Sequence, residues 1–300
     1  MEKSPQYLSP QTLAKLKGLQ LRARHIVEGY VSGLHRSPYH GFSIEVDEHR
    51  EYAPGDDLRH LDWKVLGRTD KYYLKQYEDE TNLICYLVLD VSESMEYRGP
   101  DSSLSKFEYA QCLAAAMAWL VLHQQDAVGL ATFDDRLRAN ITPSGNPTQM
   151  KPIMHVLDTS TNSAKTATGP IFHELAQRWR KRGVVIVMSD LFDDVDTLLA
   201  GLQHFRHRRH DVIVFHVMDP AEIDFPFTRP TLFKGLEALP EVHAEPRSLR
   251  RAYQQEINQF LQAVKSGCQT LGIDYQLVRT DRDLDLTLTP FLAARMARIK

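Results

Sequence analysis

Apolar positions along this chain change their spacing near residue 80. Before that point the clearest pattern lies at the start. Ser9-Pro10 reads as an N-cap followed by proline in the first helical turn, and Leu13, Leu16, Leu19, Ala23, Ile26, Val27, Val31 and Leu34 then recur at helical spacing. This predicts a long amphipathic helix with one apolar stripe, which needs a surface to lie on, in the rest of the chain or on a partner. Residues 35 to 80 read as a second unit. Pro54-Gly55 marks a turn, Asp56 or Asp57 caps a short helix through Leu58, Leu61 and Val65, and "KYYLKQYEDE" alternates as a strand that runs out into acids.

From about residue 81 continuous apolar runs alternate with amphipathic stretches. "LICYLVLD", "AVGLATF", "VVIVMSD", "DVIVFHVMD" and "DYQLVRT" predict strands. Ser105-Lys106-Phe107-Glu108 fits a capping box, opening a helix through Leu113, Met117, Leu120 and Val121. Further helices are expected over 147–158, 170–182 and 195–206, then a long one from Ser248 to Leu271 ended by Gly272, and a closing one holding Leu286, Phe291, Leu292 and Met296. Residues 228–245 read as a short hairpin. Near-continuous apolar strands separated by amphipathic helices predict an α/β fold, a mostly parallel sheet covered on both faces. The expected division is an N-terminal helix and small strand-containing extension over 1–80, and the α/β domain over 81–300.

Composition narrows the function classes. Hydrophobic content of 43% and charged content of 25% are those of a soluble globular chain. A formal net charge of -3 gives no bulk attraction to nucleic acid or an anionic membrane. The basic runs "RWRKRG" and "HFRHRRH" fall at predicted helix C-termini, where cations are favourable, so they read as solvated faces and no nucleic-acid partner is expected. Cys85, Cys112 and Cys268 are too scattered for a disulfide framework or a zinc site and read as reduced thiols. No apolar run reaches the ~20 residues of a membrane helix, and "MEKSPQYLSP" has no signal-peptide apolar region. A cytoplasmic protein with no intrinsic membrane segment is the expectation.

Candidate chemistry sits at strand ends. Ligands of open α/β sheets bind beyond the carboxyl ends of the parallel strands, where Asp90 and Asp190 are expected to face one crevice. Ser92 and Ser94 follow Asp90 at alternate positions, so both hydroxyls can accompany its carboxylate; the plainer reading is that they cap the next turn. Oxygen donors of this kind suit a hard cation such as Mg²⁺ or Mn²⁺. Two carboxylates leave such an ion under-neutralised, so it would accept an acid from outside. Glu93, Glu96, Asp193, Asp194 and Asp196 nearby read as capping and first-turn acids rather than a steering rim.

The run Asp90-Val91-Ser92-Glu93-Ser94 resembles the D-x-S-x-S metal-ion-dependent adhesion site of von Willebrand factor A domains. That resemblance implies an A-like, Rossmann-like fold and a metal held by Asp90, Ser92, Ser94, a threonine from a second loop and an aspartate from a third. Asp190 matches the aspartate and Thr166 the threonine, with Thr168 as the alternative; Gly169 follows these threonines where the family has glycine around its own. "EYAPGDDLRHLDWKVLGRTDKYYLKQYEDE", with "GIDYQLVRTD" and "FLAAR" later, resembles a bacterial family that accompanies MoxR-type AAA ATPases. That likeness covers residues 35 to 300 and implies a partner ATPase.

The function expected is a metal-dependent protein-interaction module, partner or adaptor of a MoxR-type AAA ATPase in protein assembly, maturation or chaperoning, that grips an acidic client and is not an enzyme. A metal-dependent phosphohydrolase is the alternative, opposed by Ser92 where a general-acid aspartate would stand; a metal-free structural scaffold is the third reading. The chain has no G-x-S-x-G elbow and no G-x-x-x-x-G-K-[ST] phosphate loop, so it is not expected to hydrolyse ATP.

Overall fold

The structure is a computed structural model and describes residues 19, 22–23, 49–51, 73–75, 83–161, 168–233 and 242–284. The chain divides into two compact units, Leu34–Asn82 and the remainder, Met1–Gly33 with Leu83–Lys300. In the smaller unit, β1 (His49–Glu51) pairs antiparallel with β2 (Tyr73–Lys75), within the run expected to form a strand. The "PGDDLRHLDW" block lies outside the described residues.

The larger unit is built on a six-stranded sheet of β3 (Ile84–Asp90), β4 (Ala127–Phe133), β5 (Leu137–Ser144), β6 (Val184–Ser189), β7 (Asp211–Met218) and, after the hairpin of β8 (Thr231–Phe233) and β9 (Val242–Ala244), β10 (Asp274–Arg279). The order is β10-β7-β6-β3-β4-β5, parallel throughout except for β5, which runs antiparallel to β4. This is the α/β class expected. The chain steps outward from β3 to β5 and then returns to lay β6 on the other side of β3. The strand order therefore reverses between β3 and β6, the place where open α/β sheets leave a crevice at the strands' carboxyl ends.

Among the described residues, the helices that serve this sheet include α1 (Lys106–His123), α2 (Met150–Thr159), α3 (Thr168–Arg178), α4 (Val195–His207), the short α5 (Pro220–Asp224) and α6 (Pro246–Thr270). Alternate strand residues point to opposite faces. Cys85, Leu87 and Leu89 share one core with α1 and α2, whereas Tyr86, Val88, Val185 and Val187 share another with α3, α4 and the buried Val264 and Cys268 of α6. Both faces are dry, which is why the strands read as unbroken apolar runs. Burying one such Leu or Val contributes roughly 1.5–3 kcal/mol. Leu19 and Ala23 lie in the α1 core, so at these positions the N-terminal apolar stripe packs on the chain itself. The residues expected to form the closing helix, Leu286 to Met296, lie outside the described residues, which end at Leu284.

Strand β5 did not follow from the apolar pattern. Its residues alternate between half-buried and exposed, as befits an edge strand with one solvated side. The ladder slips between Val128 and Leu130, and a Cβ on the intervening Gly129 would stand 2.6 Å from the Ile141 carbonyl. Glycine is what lets the bulged strand approach so closely. Helix α1 starts as expected: the Glu108 N–H donates to Ser105 Oγ at 3.1 Å and the Ser105 N–H donates to Glu108 Oε2 at 2.9 Å.

Candidate functional site

At the reversal point β3 delivers Asp90 and β6 delivers Ser189 and Asp190, all fully buried. The backbone leaves β3 through Val91, whose N–H donates to the Phe133 carbonyl at 2.7 Å, and then tightens into a 3-10 turn at Glu93–Glu96. That turn tucks Ser92 and Ser94 inward, and their hydroxyl oxygens lie 3.0 Å apart. Asp90 is held from two sides: the Ser92 N–H donates to Oδ1 at 2.9 Å and the Ser189 hydroxyl to Oδ2 at 2.5 Å. Ser189 Oγ itself accepts from the Leu191 N–H at 2.9 Å. Leu191 is buried and left-handed, with φ 56, a conformation that costs a bulky residue about 1–2 kcal/mol. It turns the chain sharply just after Asp190.

Asp190 has a different partner. The Lys106 ammonium, at the first turn of α1, donates to Asp190 Oδ2 at 2.7 Å and to Glu222 Oε1 at 2.6 Å. The Lys106 and Asp190 side chains have no exposed surface. Phe192 and Tyr97 enclose the ammonium, with ring centroids 4.9 and 5.8 Å from Nζ. Glu222 is positioned by a second capping box, in which the Asp219 N–H donates to Glu222 Oε2 at 2.9 Å. Asp219 in turn accepts from the Gly99 and Ala221 N–H groups and from the Thr280 hydroxyl. The crevice is thereby tied into β7, α5 and the end of β10.

The electrostatics follow from burial. Burial and the nearby charge of Asp190 push the Asp90 carboxyl up to about 7, against the bonds from Ser189 and Ser92. Burial alone would lower Lys106, but Asp190 and Glu222 outweigh it and hold the ammonium above its ordinary range. Burial raises the Glu222 carboxyl, more than Lys106 lowers it. On the far side of Asp190, burial pulls His216 down to about 4, so this imidazole is neutral.

The residues expected from the sequence are thus only partly gathered. Asp90, Ser92 and Ser94 come together, and Asp190 is near enough to act on Asp90. Thr168 faces elsewhere: its N–H and hydroxyl both donate to Asp193 Oδ2, at 2.9 and 2.6 Å. Thr166 lies outside the described residues. Asp194 caps α4 by accepting from the Thr197 N–H at 2.9 Å, the plainer of the two roles foreseen for these acids. Mg²⁺ or Mn²⁺ fits Asp190 poorly as it stands, because this carboxylate already pairs with the Lys106 ammonium. Among the described residues no three His, Cys, Asp or Glu side chains gather as a metal cluster. An open groove of about 560 Å³, lined by Asn140, Glu174, Gln177, Arg178 and Arg180, contains none of these groups.

Lys106, Ser189 and Glu222 do not follow from the D-x-S-x-S motif. One signal for Lys106 was present: a lysine directly after an N-cap opposes the helix dipole and needs a tertiary reason to be there. Asp219-Pro220-Ala221-Glu222 likewise has capping-box spacing.

Residues 48–261 match the family described as "Protein of unknown function DUF58". The chain belongs to this family. Among relatives, it is 23% identical over 293 residues to the uncharacterized protein Rv1480 of Mycobacterium tuberculosis and to Mb1516 of Mycobacterium bovis, covering 95% of this chain and 90% of each of those. Among solved structures it is similar to the conserved hypothetical protein BatB from Bacteroides thetaiotaomicron (TM-score 0.45, 14% identity, 72% of this chain and 99% of that one). The SpRpn10 VWA domain is also similar (TM-score 0.39, 15% identity, 69% of this chain and 93% of that one). No helix among the described residues is long and apolar enough to cross a membrane.

Proposed function

We propose that this chain is a non-catalytic protein-interaction module, the partner or adaptor of a MoxR-type AAA ATPase in the assembly, maturation or chaperoning of other proteins. The observation that carries the reading is the crevice at the strand-order reversal, where the carboxylates and hydroxyls are bonded to one another, to backbone N–H groups and to Lys106. Groups buried and committed in this way are out of reach of a substrate, against acid–base or nucleophilic work, and instead fix the loops whose exposed residues, such as Glu96, a partner can meet. The likeness of the "EYAPGDDLRHLDW" block to the ATPase-associated family supports the choice of partner. A client seized by its own acid finds no support in Lys106, which is buried and already shared between two carboxylates.

Titrating a purified MoxR-type ATPase against the immobilised full chain tests this reading. Saturable binding is expected, weakened at least about tenfold by Glu96→Arg on the exposed 3-10 turn beside the crevice, a loss of roughly 1.4 kcal/mol. No binding in either the ATP- or the ADP-loaded state contradicts the partner. Phosphatase turnover abolished by Asp90→Asn would contradict the non-catalytic reading.

A further inference from the structure

We infer that Lys106 is the resident cation of this crevice, its ammonium supplying the positive charge that the D-x-S-x-S resemblance assigns to a divalent ion, so that the crevice operates without metal. The inference goes beyond the proposed partner and concerns the chain alone.

Charge balance is the first ground. Asp190 and Glu222 share the Lys106 ammonium as their common cation, and Asp90 lies next to Asp190, so the charge expected of an ion at Asp190 is already supplied by a side chain. Enclosure is the second. The lysine side chain has no exposed surface, its ammonium is flanked by the Phe192 and Tyr97 rings, and its bonds to both carboxylates are short enough to be charge-assisted. Position is the third. The first turn of a helix repels a cation, so its neighbours rather than α1 hold Lys106 in place.

A divalent ion placed between Asp90 and Asp190 would lie beside this ammonium in a poorly screened interior. To bind, it would have to expel Lys106 from its enclosure and leave Glu222 without its partner. Thr168, the alternative threonine ligand, is tied to Asp193. The hydroxyl pair of Ser92 and Ser94 then serves to shape the loop that Asp90 anchors, rather than to ligate.

The test is thermal unfolding of the full chain, stripped with EDTA and then titrated with Mg²⁺ or Mn²⁺, for wild type, Lys106→Met and Lys106→Met/Asp190→Asn. Wild type is expected to show the same Tm at every metal concentration. Lys106→Met leaves buried carboxylates uncompensated and is expected to lose on the order of 10 °C in Tm. Millimolar Mn²⁺ or Mg²⁺ should return several degrees of that loss, because the vacated position then accepts a metal. The double variant removes one of the two carboxylates that Lys106 pairs, leaving Glu222; it should recover part of the Tm lost in the single variant and ignore metal. A wild-type Tm that rises with Mg²⁺ or Mn²⁺ overturns the inference, and so does a double variant no more stable than the single one. If Lys106→Met does not fold, the wild-type titration and the double variant decide between the same two outcomes. Binding of the ATPase enters none of these readings, so failure here leaves the proposed partner standing and the reverse also holds.

Discussion

Buried ionisable side chains decide the behaviour of this molecule at the scale of single residues. His210 is fully buried, edge-on to Tyr86 and Phe205, and burial lowers its pKa from the ordinary 6.5. Because the unfolded chain takes up a proton that the folded chain refuses, His210 costs no stability above about pH 6.5 and destabilises increasingly as pH falls from there toward its folded pKa. Asp90 has the opposite sign: its raised folded pKa means that stability falls as pH climbs from the ordinary 3.8 through about 7. The two effects overlap, so the raw pH profile of Tm hides both. The informative quantity is the difference between wild type and His210→Gln. The wild type should lose ground to the variant on acidification from pH 6.5, and a difference independent of pH contradicts the histidine's role. The thiols are quiet by comparison, since burial lifts Cys112 to about 11 and Cys268 to about 12.

Elements position these residues, and they can be probed at positions that are not themselves part of the Asp90–Asp190 cluster. The Ser105 capping box fixes the start of α1 and with it the place of Lys106. Ser105→Ala should lower stability by about 1 kcal/mol in denaturant titration. Helices α3 and α4 meet where a Cβ on Gly201 would lie 3.0 Å from the Gly169 Cα. Gly201→Val should force them apart at a cost of about 1–3 kcal/mol, read in the same titration. Much of this element layer was legible in the sequence. The apolar runs gave β3, β4, β6 and β7 because each is buried on both faces, β10 showed as the short stretch after Gly272 although only its Val278 is fully buried, and Ser105 with Glu108 announced its helix. β5 was missed because Leu137, Ala139 and Ile141 alternate with polar residues and form no continuous apolar run of the kind that marked the other strands, and α5 because five residues carry too little periodicity. Within the crevice, Asp90, Ser92 and Ser94 could be placed together because two-residue steps from one strand end share a direction. Lys106 and Glu222 could not, since 84 and 116 residues separate Lys106 from Asp190 and Glu222 and only the fold brings them together.

The whole molecule draws its site from topology. Reversing the strand order between β3 and β6 brings Asp90 and Asp190 together at the carboxyl ends, and α1, α5 and the end of β10 close over them through Lys106, Glu222 and Asp219. A crevice that carries its own cation should engage a protein partner equally well in EDTA and in Mg²⁺, whereas a metal-bridged contact would vanish with the chelator. Capture of the ATPase by the full chain under the two conditions should therefore agree within about twofold, less than 0.5 kcal/mol. The most direct measurement is a crystal structure of the wild-type chain grown or soaked in Mn²⁺, with the ion located by its anomalous scattering. The expected map has no manganese peak within bonding distance of Asp90, Ser92, Ser94 or Asp190, and shows the Lys106 amine between Asp190 and Glu222. A manganese peak bridging Asp90 and Asp190, with Lys106 displaced, would contradict it.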